Sequence, residues 1–274
     1  MTAPGHSSPF AALARKRDLW WQFTVRAVEA RHRGSYLGIL WNVVTPLLML
    51  GLYYTVFAVI FPGRFGVVRN EQPVDVAMAM FLGLTLYQLL AETISTAPLA
   101  IVSSPNLVKK VVFPLDVLPF SQVGASVFNL LIGLVLVTAG ATIFGRGISL
   151  SGILWLPVIL FPLVLLSAGL AWLFAGLGVF FRDLAQFMPF VAQIVLYASA
   201  VTYPDSRIRQ APAAWAILKW NPFLHTVSLA REVLLWDLPL RPLPLAYTYA
   251  LGLAVFIVGR WVFLKLQPAF ADVL

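Results

Sequence analysis

Six stretches of this chain are each apolar over close to the length a helix needs to cross a bilayer. They run over roughly 39–61, 77–102, 118–144, 152–181, 186–203 and 243–264, the fifth being the shortest. A crossing helix takes about 20 mostly apolar residues. The chain of 274 residues is 60% hydrophobic and only 11% charged, whereas soluble domains carry about 25% charged residues. A single water-facing core cannot hide that much apolar surface, so most of this chain is solvated by lipid. The expectation is an all-α membrane protein with six transmembrane helices and both termini on one side.

Lysine and arginine give the side. Arg15, Lys16, Arg17, Arg26, Arg31 and Arg33 precede the first run, and Lys109, Lys110, Arg182, Arg260 and Lys265 border later ones on the same face. The other face holds Arg64, Arg69, Arg146, Arg207, Arg209, Lys219, Arg231 and Arg241 over longer stretches. Cations crowded ahead of the first span stay on the cytoplasmic side, which places both termini there. The net charge of +8 therefore reads as an orientation signal and not as a nucleic-acid surface. Roughly thirty polar and charged residues precede the first run, which argues against a cleaved leader. The chain has no cysteine, and His6, His32 and His225 lie far apart, so neither disulfides nor a metal site is expected.

The segment 15–33 alternates cations with indoles. On a helical wheel Asp18, Gln22, Arg26, Glu29 and Arg33 form one narrow stripe, while Leu19, Trp20, Trp21, Phe23, Ala27 and Val28 cover the rest. Glu29 precedes Arg33 by four residues, the favourable order for a helical ion pair. This pattern predicts an amphipathic helix lying in the headgroup plane, with Trp20 and Trp21 at the boundary and Arg26, Arg31 and Arg33 toward anionic lipid. Gly34 and Ser35 then turn the chain into the first span. Inside that span Pro46 removes a backbone donor, so the kinked helix should face protein or a cavity.

Two segments are too short to cross. In "SSPNLVKKVVFPLD", 103–116, Ser104 suits an N-cap, Pro105 the first helical position, and Pro114 a stop. The result is a short helix over Asn106–Phe113 that mixes Leu107, Val108, Val111 and Val112 with Lys109 and Lys110, a knob suited to docking a soluble partner. In "LKWNPFLHTVSLAREVLLWD", 218–237, Asn221 and Pro222 again open a helix, and about fourteen residues give it about 21 Å. With "YPDSRIRQAPAAW", 203–215, it forms an outer insertion whose helix is re-entrant or surface-lying. Glu92, with Gln88 one turn earlier, is either a functional acid facing the bundle interior or an interface acid near the headgroups. Gln193, Tyr197 and Tyr203 either line a cavity or belong to an aromatic belt, and Tyr53, Tyr54 and Tyr87 join them as channel-lining candidates. No phosphate-binding glycine loop, zinc-protease or serine-hydrolase motif occurs, and no intramembrane row of charges suggests an ion relay. A pathway protein energised from elsewhere remains.

The succession "RHRGSYLGILWNVVTPLL", "NLVKKVVFPLDVLP", "FFRDLAQ" and "LKWNPFLHTVSLARE" closely resembles the permease subunits of ABC-2 type polysaccharide exporters, which carry O-antigen, capsule or teichoic acid. The resemblance covers nearly the whole chain as one transmembrane domain, 1–274. It implies an interfacial helix at 15–33, spans 1–5 over 39–203, an outer gate insertion at 204–242 and span 6 at 243–264. It further implies an ATPase-coupling set of Ser104, Pro105, Asn106, Leu107, Val108, Lys109, Lys110 and Val111, with Arg182 and Asp183 as a second contact. The outer gate would use Trp220, Asn221, Pro222, Phe223, His225, Arg231 and Glu232. Arg231 and Glu232 are expected to hold the gate helix closed against its own bundle or the facing subunit, or to pair with each other, while Trp220 and Phe223 fill the resting pathway.

The same resemblance implies a homodimer, two copies of a separate ATPase subunit that carries ATP and Mg, a lipid-linked polysaccharide as cargo, and membrane lipids around the whole. A periplasmic or outer-membrane export partner is a further possibility it leaves open. No cofactor is expected on this chain, which would be a transport subunit of the bacterial inner membrane rather than an enzyme. Within the same fold a drug or lipid exporter is the alternative. A membrane glycosyl- or acyltransferase would need an acid/base set for which the sequence offers only the isolated Glu92.

Overall fold

The computed structural model describes residues 9–31, 34–60, 65–67, 71–109 and 113–274, and the described residues contain helices and no strand. Helix α1 spans Pro9–Ala30, and a 3-10 turn at Gly38–Leu40 leads into α2, Trp41–Tyr54. A π-helical segment, Thr55–Ile60, continues α2 without a break. Helix α3 is Pro73–Thr96, followed by the short α4, Leu99–Val102, and α5, Pro105–Lys109. Next come α6 at Val117–Phe144, α7 at Leu150–Phe180 and α8 at Leu184–Ala198. The distal insertion holds α9 at Asp205–Arg209, α10 at Pro212–Leu218 and α11 at Pro222–Leu234. Helix α12, Pro242–Leu266, ends in a 3-10 turn and α13, Phe270–Val273.

Among the described residues four helical segments are long and apolar enough to cross a bilayer: α3, α6, α7 and Pro242–Val273. The first and fifth sequence runs appear as shorter apolar helices, Gly38–Tyr54 and Leu184–Ala198. Local chemistry explains the differences in bounds. Helix α3 starts at Pro73, because Gln72 and Asp75 form a reciprocal capping box around it. The run expected over 77–102 is divided near Pro98, which lacks the donor a continuous helix needs. Helix α8 stops at Ala198, and the chain reverses through Ala200 at φ 52°. Gly34 at φ 87° makes the turn expected between the leader and the first span.

The core is built on α3 and α11. Leu82, Leu86 and Leu89 of α3 pack with Leu163 of α7, Val201, and Phe223, Val227 and Leu234 of α11. Although α11 has only 13 residues, ten of them are buried, so it is an internal element and not a surface lid. A second cluster gathers Phe23 of α1, Leu107 and Val108 of α5, Phe113, Trp172 of α7, Phe263 of α12 and Phe270 of α13. The described ends of the chain therefore meet at one end of the bundle, the proximal end, and α9–α11 occupy the distal end.

Helices α7 and α12 touch backbone to backbone. A Cβ on Gly259 would collide with the Gly169 carbonyl, and one on Gly252 with the Pro162 carbonyl. In lipid, close packing of small residues is a main source of helix association. Gly259→Leu should therefore part the two helices and lower stability by about 1–3 kcal/mol, read as a lower melting temperature of the detergent-solubilised protein. Leu253→Ala, at a side chain that is 49% exposed, should leave the melting temperature within error of the unaltered chain.

Candidate functional site

Helix α1 lies against the start of α6. Trp20, Thr24 and Val28 face inward, Thr24 closing on Gly124 at 2.7 Å from its notional Cβ, and Trp20 Nε1 donates to the Phe120 carbonyl at 3.2 Å. Asp18, Gln22, Arg26 and Glu29 are exposed on the other side, and Trp21 is 61% exposed. Arg33, expected to pair with Glu29, lies outside the described residues.

At the end of α1 the structure departs from the expectation. Arg31 turns into the bundle, with Nη1 at 2.6 Å from Glu92 Oε1 and Nη2 donating to Ser126 Oγ at 3.3 Å. Both charged side chains are largely enclosed, at 19% and 16% exposure. Arg31 is thus not a lipid-facing cation, and Glu92 is not on the wall of the cavity. Together they pin α1 to α3 and α6.

One turn further into the bundle from Glu92 and Ser126 stand Gln88 and Asn129. They line a cavity of about 480 Å³ enclosed by α2, α3, α6 and α8. Its polar groups are Asn42, Thr45 and Tyr53 from α2, Thr85, Tyr87 and Gln88 from α3, Asn129 from α6 and Gln193 from α8. Pro46 lines it too, so the kinked face of α2 does border a cavity. No formally charged side chain is among the lining residues. Asn129 Oδ1 is buried there with no donor from the protein. Of the expected lining residues, Tyr53, Tyr87 and Gln193 meet in this cavity, whereas Tyr54, Tyr197 and Tyr203 lie outside it. Tyr54 and Tyr197 are exposed on the bundle surface, and the Tyr203 hydroxyl donates to the Tyr197 carbonyl. Asn129 was legible as one of two amides in the third apolar run, with Gln122, a signal like that of Gln193 in the fifth.

At the proximal end α5 exposes Pro105, Asn106 and Lys109, while Leu107 and Val108 turn toward the second core cluster. Both are half-buried, so they share that cluster while part of their surface stays open. The Ser104 carbonyl accepts from Leu107 N at 3.1 Å, and Lys110 and Val111 lie outside the described residues. Arg182 and Asp183 are both exposed in the turn between α7 and α8, where the Asp183 carbonyl accepts from Phe187 N at 3.1 Å.

At the distal end Arg231 and Glu232 do not pair with each other. Arg231 is 2% exposed and donates to three backbone carbonyls: from Nε to Ala79 at 2.8 Å, from Nη1 to Ala200 at 2.7 Å, and from Nη2 to Val201. Its guanidinium also lies 4.8 Å from the Phe65 ring centre. Glu232 instead takes a two-pronged contact from Arg241, at 2.8 and 2.7 Å. Burial pushes the Glu232 carboxyl above the usual carboxylate range, and Arg241 works against that shift. Neighbours on a helix point about 100° apart, so adjacent charges find different partners.

Asn221 caps α11 by accepting from Phe223 N at 3.0 Å, and its amide donates to the Ala198 carbonyl and Ser199 Oγ at 3.2 and 2.8 Å. Pro222 stands in the first turn. Phe223 is buried in the core, which removes it from any pathway, and Trp220 is 63% exposed on the surface. Tyr247 donates to the Trp220 carbonyl at 2.7 Å, and the His225 ring contacts the Lys219 carbonyl at 2.8 Å. Among the described residues no cluster of histidines and carboxylates could hold a metal ion.

The sequence pattern of the ABC-2 type transporter family matches residues 18–235, a stretch running from α1 through α11. The chain belongs to the ABC-2 type transporter family. It is similar to an O-antigen export system permease protein RfbA of Klebsiella pneumoniae, 27% identical over 257 residues that cover 94% of this chain and 95% of the relative. A protein of the same name from Myxococcus xanthus is 30% identical over 221 residues, 79% of this chain and 80% of that one. These relatives bear out the resemblance to polysaccharide-export permeases drawn from the four motifs. The ABC-2 chain is a multi-pass membrane subunit of a transporter, and its family implies an ATPase partner.

Two predictions test how this ABC-2 subunit is pinned. Arg31→Glu alone should set two acids together at the end of α1 and cost about 1–3 kcal/mol, less than for a fully enclosed pair. Arg31→Glu with Glu92→Arg should recover part of that loss in a thermal melt. Arg231→Ala should be more damaging than Glu232→Ala, because each orphaned carbonyl costs about 1–3 kcal/mol. Reversing both charges at 231 and 232 should give no recovery, as measured by the yield of monodisperse protein.

Proposed function

We propose that this chain is the channel-forming subunit of an ATP-driven exporter that moves a lipid-linked polysaccharide across the bacterial inner membrane. The observation that carries the reading is the uncharged cavity among α2, α3, α6 and α8. Its amides at Asn42, Gln88, Asn129 and Gln193 offer both donors and acceptors, and Tyr53 and Tyr87 add aromatic surface. That mixture suits sugar hydroxyls and the flat C–H faces of pyranose rings better than an ionic or wholly apolar cargo. The names of the relatives as O-antigen export permeases support the same substrate class.

In this reading α2 and α8 complete a set of six spans, both termini are cytoplasmic, and the proximal end faces an ATPase carried on a separate chain with its ATP and Mg. Exposed Lys109, Arg182 and Asp183, with Pro105 and Asn106, form the contact surface. Two copies of the chain enclose the polymer path. The exposed apolar faces of α2 and α8, including Leu48, Leu52, Phe190 and Ile194, support that arrangement, because they stand beside the cavity and are uncovered within one subunit. The α9–α11 insertion closes the distal end, with α11 as its fixed part.

The test is reconstitution with the neighbouring ATPase in vesicles containing a lipid-linked glycan. ATP-dependent delivery of the glycan is expected, and Gln88→Leu with Asn129→Leu should reduce delivery about tenfold or more while ATPase association persists. Lys109→Glu should have the opposite profile, weakening association first. An ABC-2 chain that delivers an apolar drug or free lipid but no glycan would overturn the substrate reading.

A further inference from the structure

None of the five described residues of helix α5 is buried, so its position depends on what packs beside it. A single turn of helix is unstable without outside contacts. Its support comes from the other end of the sequence: α13 packs beside it, and Leu107 and Val108 join the cluster that contains Phe270 and Leu274. The contact is incomplete. A cavity of about 390 Å³ separates α5 and Phe113 from α12 and the turn into α13, with Val108 on one wall and Pro268 and Ala271 on the other.

Phe270 belongs to the cluster against which Leu107 and Val108 pack. It is fully enclosed, its ring centre 5.5 Å from Phe263 of α12 and 6.1 Å from Phe180, the last residue of α7. Phe180 stands two residues before Arg182. The ring thus joins α12 to the end of α7 just ahead of the Arg182–Asp183 turn, within the cluster that also takes in Leu107 and Val108 of α5. We propose that Phe270 is a positioning residue for coupling: it seats α5 and the α7–α8 turn in one fixed relation, so that force applied at either is delivered to α7 and α12 together. The inference rests on the reading of α5 and that turn as ATPase contacts. A buried aromatic with a purely packing role would stabilise the bundle without setting that relation, and the two roles separate by experiment.

The complex of the full chain with its ATPase is reconstituted as above, carrying Phe270→Ala. ATPase association and ATP hydrolysis should stay within about twofold of the unaltered complex, while glycan delivery per ATP falls about tenfold. The chain has no cysteine, so Val108→Cys with Ala271→Cys provides a unique pair across the cavity for a reversible bis-thiosulfonate linker. The linker should restore delivery to the Phe270→Ala complex, and reductant should abolish the rescue. If Phe270→Ala does not reach the membrane, Phe270→Leu should show the same split at about threefold and the same rescue. Normal delivery by Phe270→Ala, or a formed link that rescues nothing, would overturn the proposal. An unaltered chain that recruits no ATPase would fail at the first step and mark the export reading as the one at fault.

Discussion

Backbone carbonyls released inside a membrane have no water to turn to, and Arg231 answers that constraint for the whole distal half of the molecule. Where α8 ends and the chain reverses at Ala200, two carbonyls lose their helical donors, and Arg231 supplies both while also reaching Ala79 on α3. The guanidinium fork suits this role, because its donors diverge within one plane and keep their charge under nearly all conditions. Close approach depends on Gly83, where any side chain would occupy the space of the guanidinium. A short helix can therefore lie buried at the core without an unpaired backbone around it.

Much of the architecture was legible in the sequence, and the limits have a physical pattern. Runs of apolar residues announce spans because lipid solvates each helix locally, and the stripe from Asp18 to Glu29 emerged on the exposed side of α1 as its spacing demanded. Pro46, Asn221 and Pro222 also act within a turn or two of themselves. What the sequence hid is long-range pairing. Arg31 and Glu92 belong to different helices, and nothing in either neighbourhood names the other. Arg231 is harder still, since its partners are carbonyls that every residue possesses. Adjacent Arg231 and Glu232 invited a pairing that helical geometry sends in different directions. The same local view could not show that Leu107 and Val108 also pack against the far end of the chain.

The cavity lies where two kinds of helix meet. Helix α3 presents a buried wall of Phe81, Leu82 and Leu86, whereas α2 has no buried residue and α8 only Met188 and Ala192. The polar groups of the cavity are divided between the firmly packed and the lightly packed side. Its shape consequently depends on how α2 and α8 are held.

The glycine seam between α7 and α12 has a mechanical consequence. Two helices whose backbones meet at Gly169 and Gly259, and again at Pro162 and Gly252, cannot slide along each other without carbonyls riding over Cα atoms, nor roll without driving side chains into the gap. Along that seam they form one double-width unit. A displacement of one helix at this seam is therefore shared by the other, and compliance is left to elements outside it.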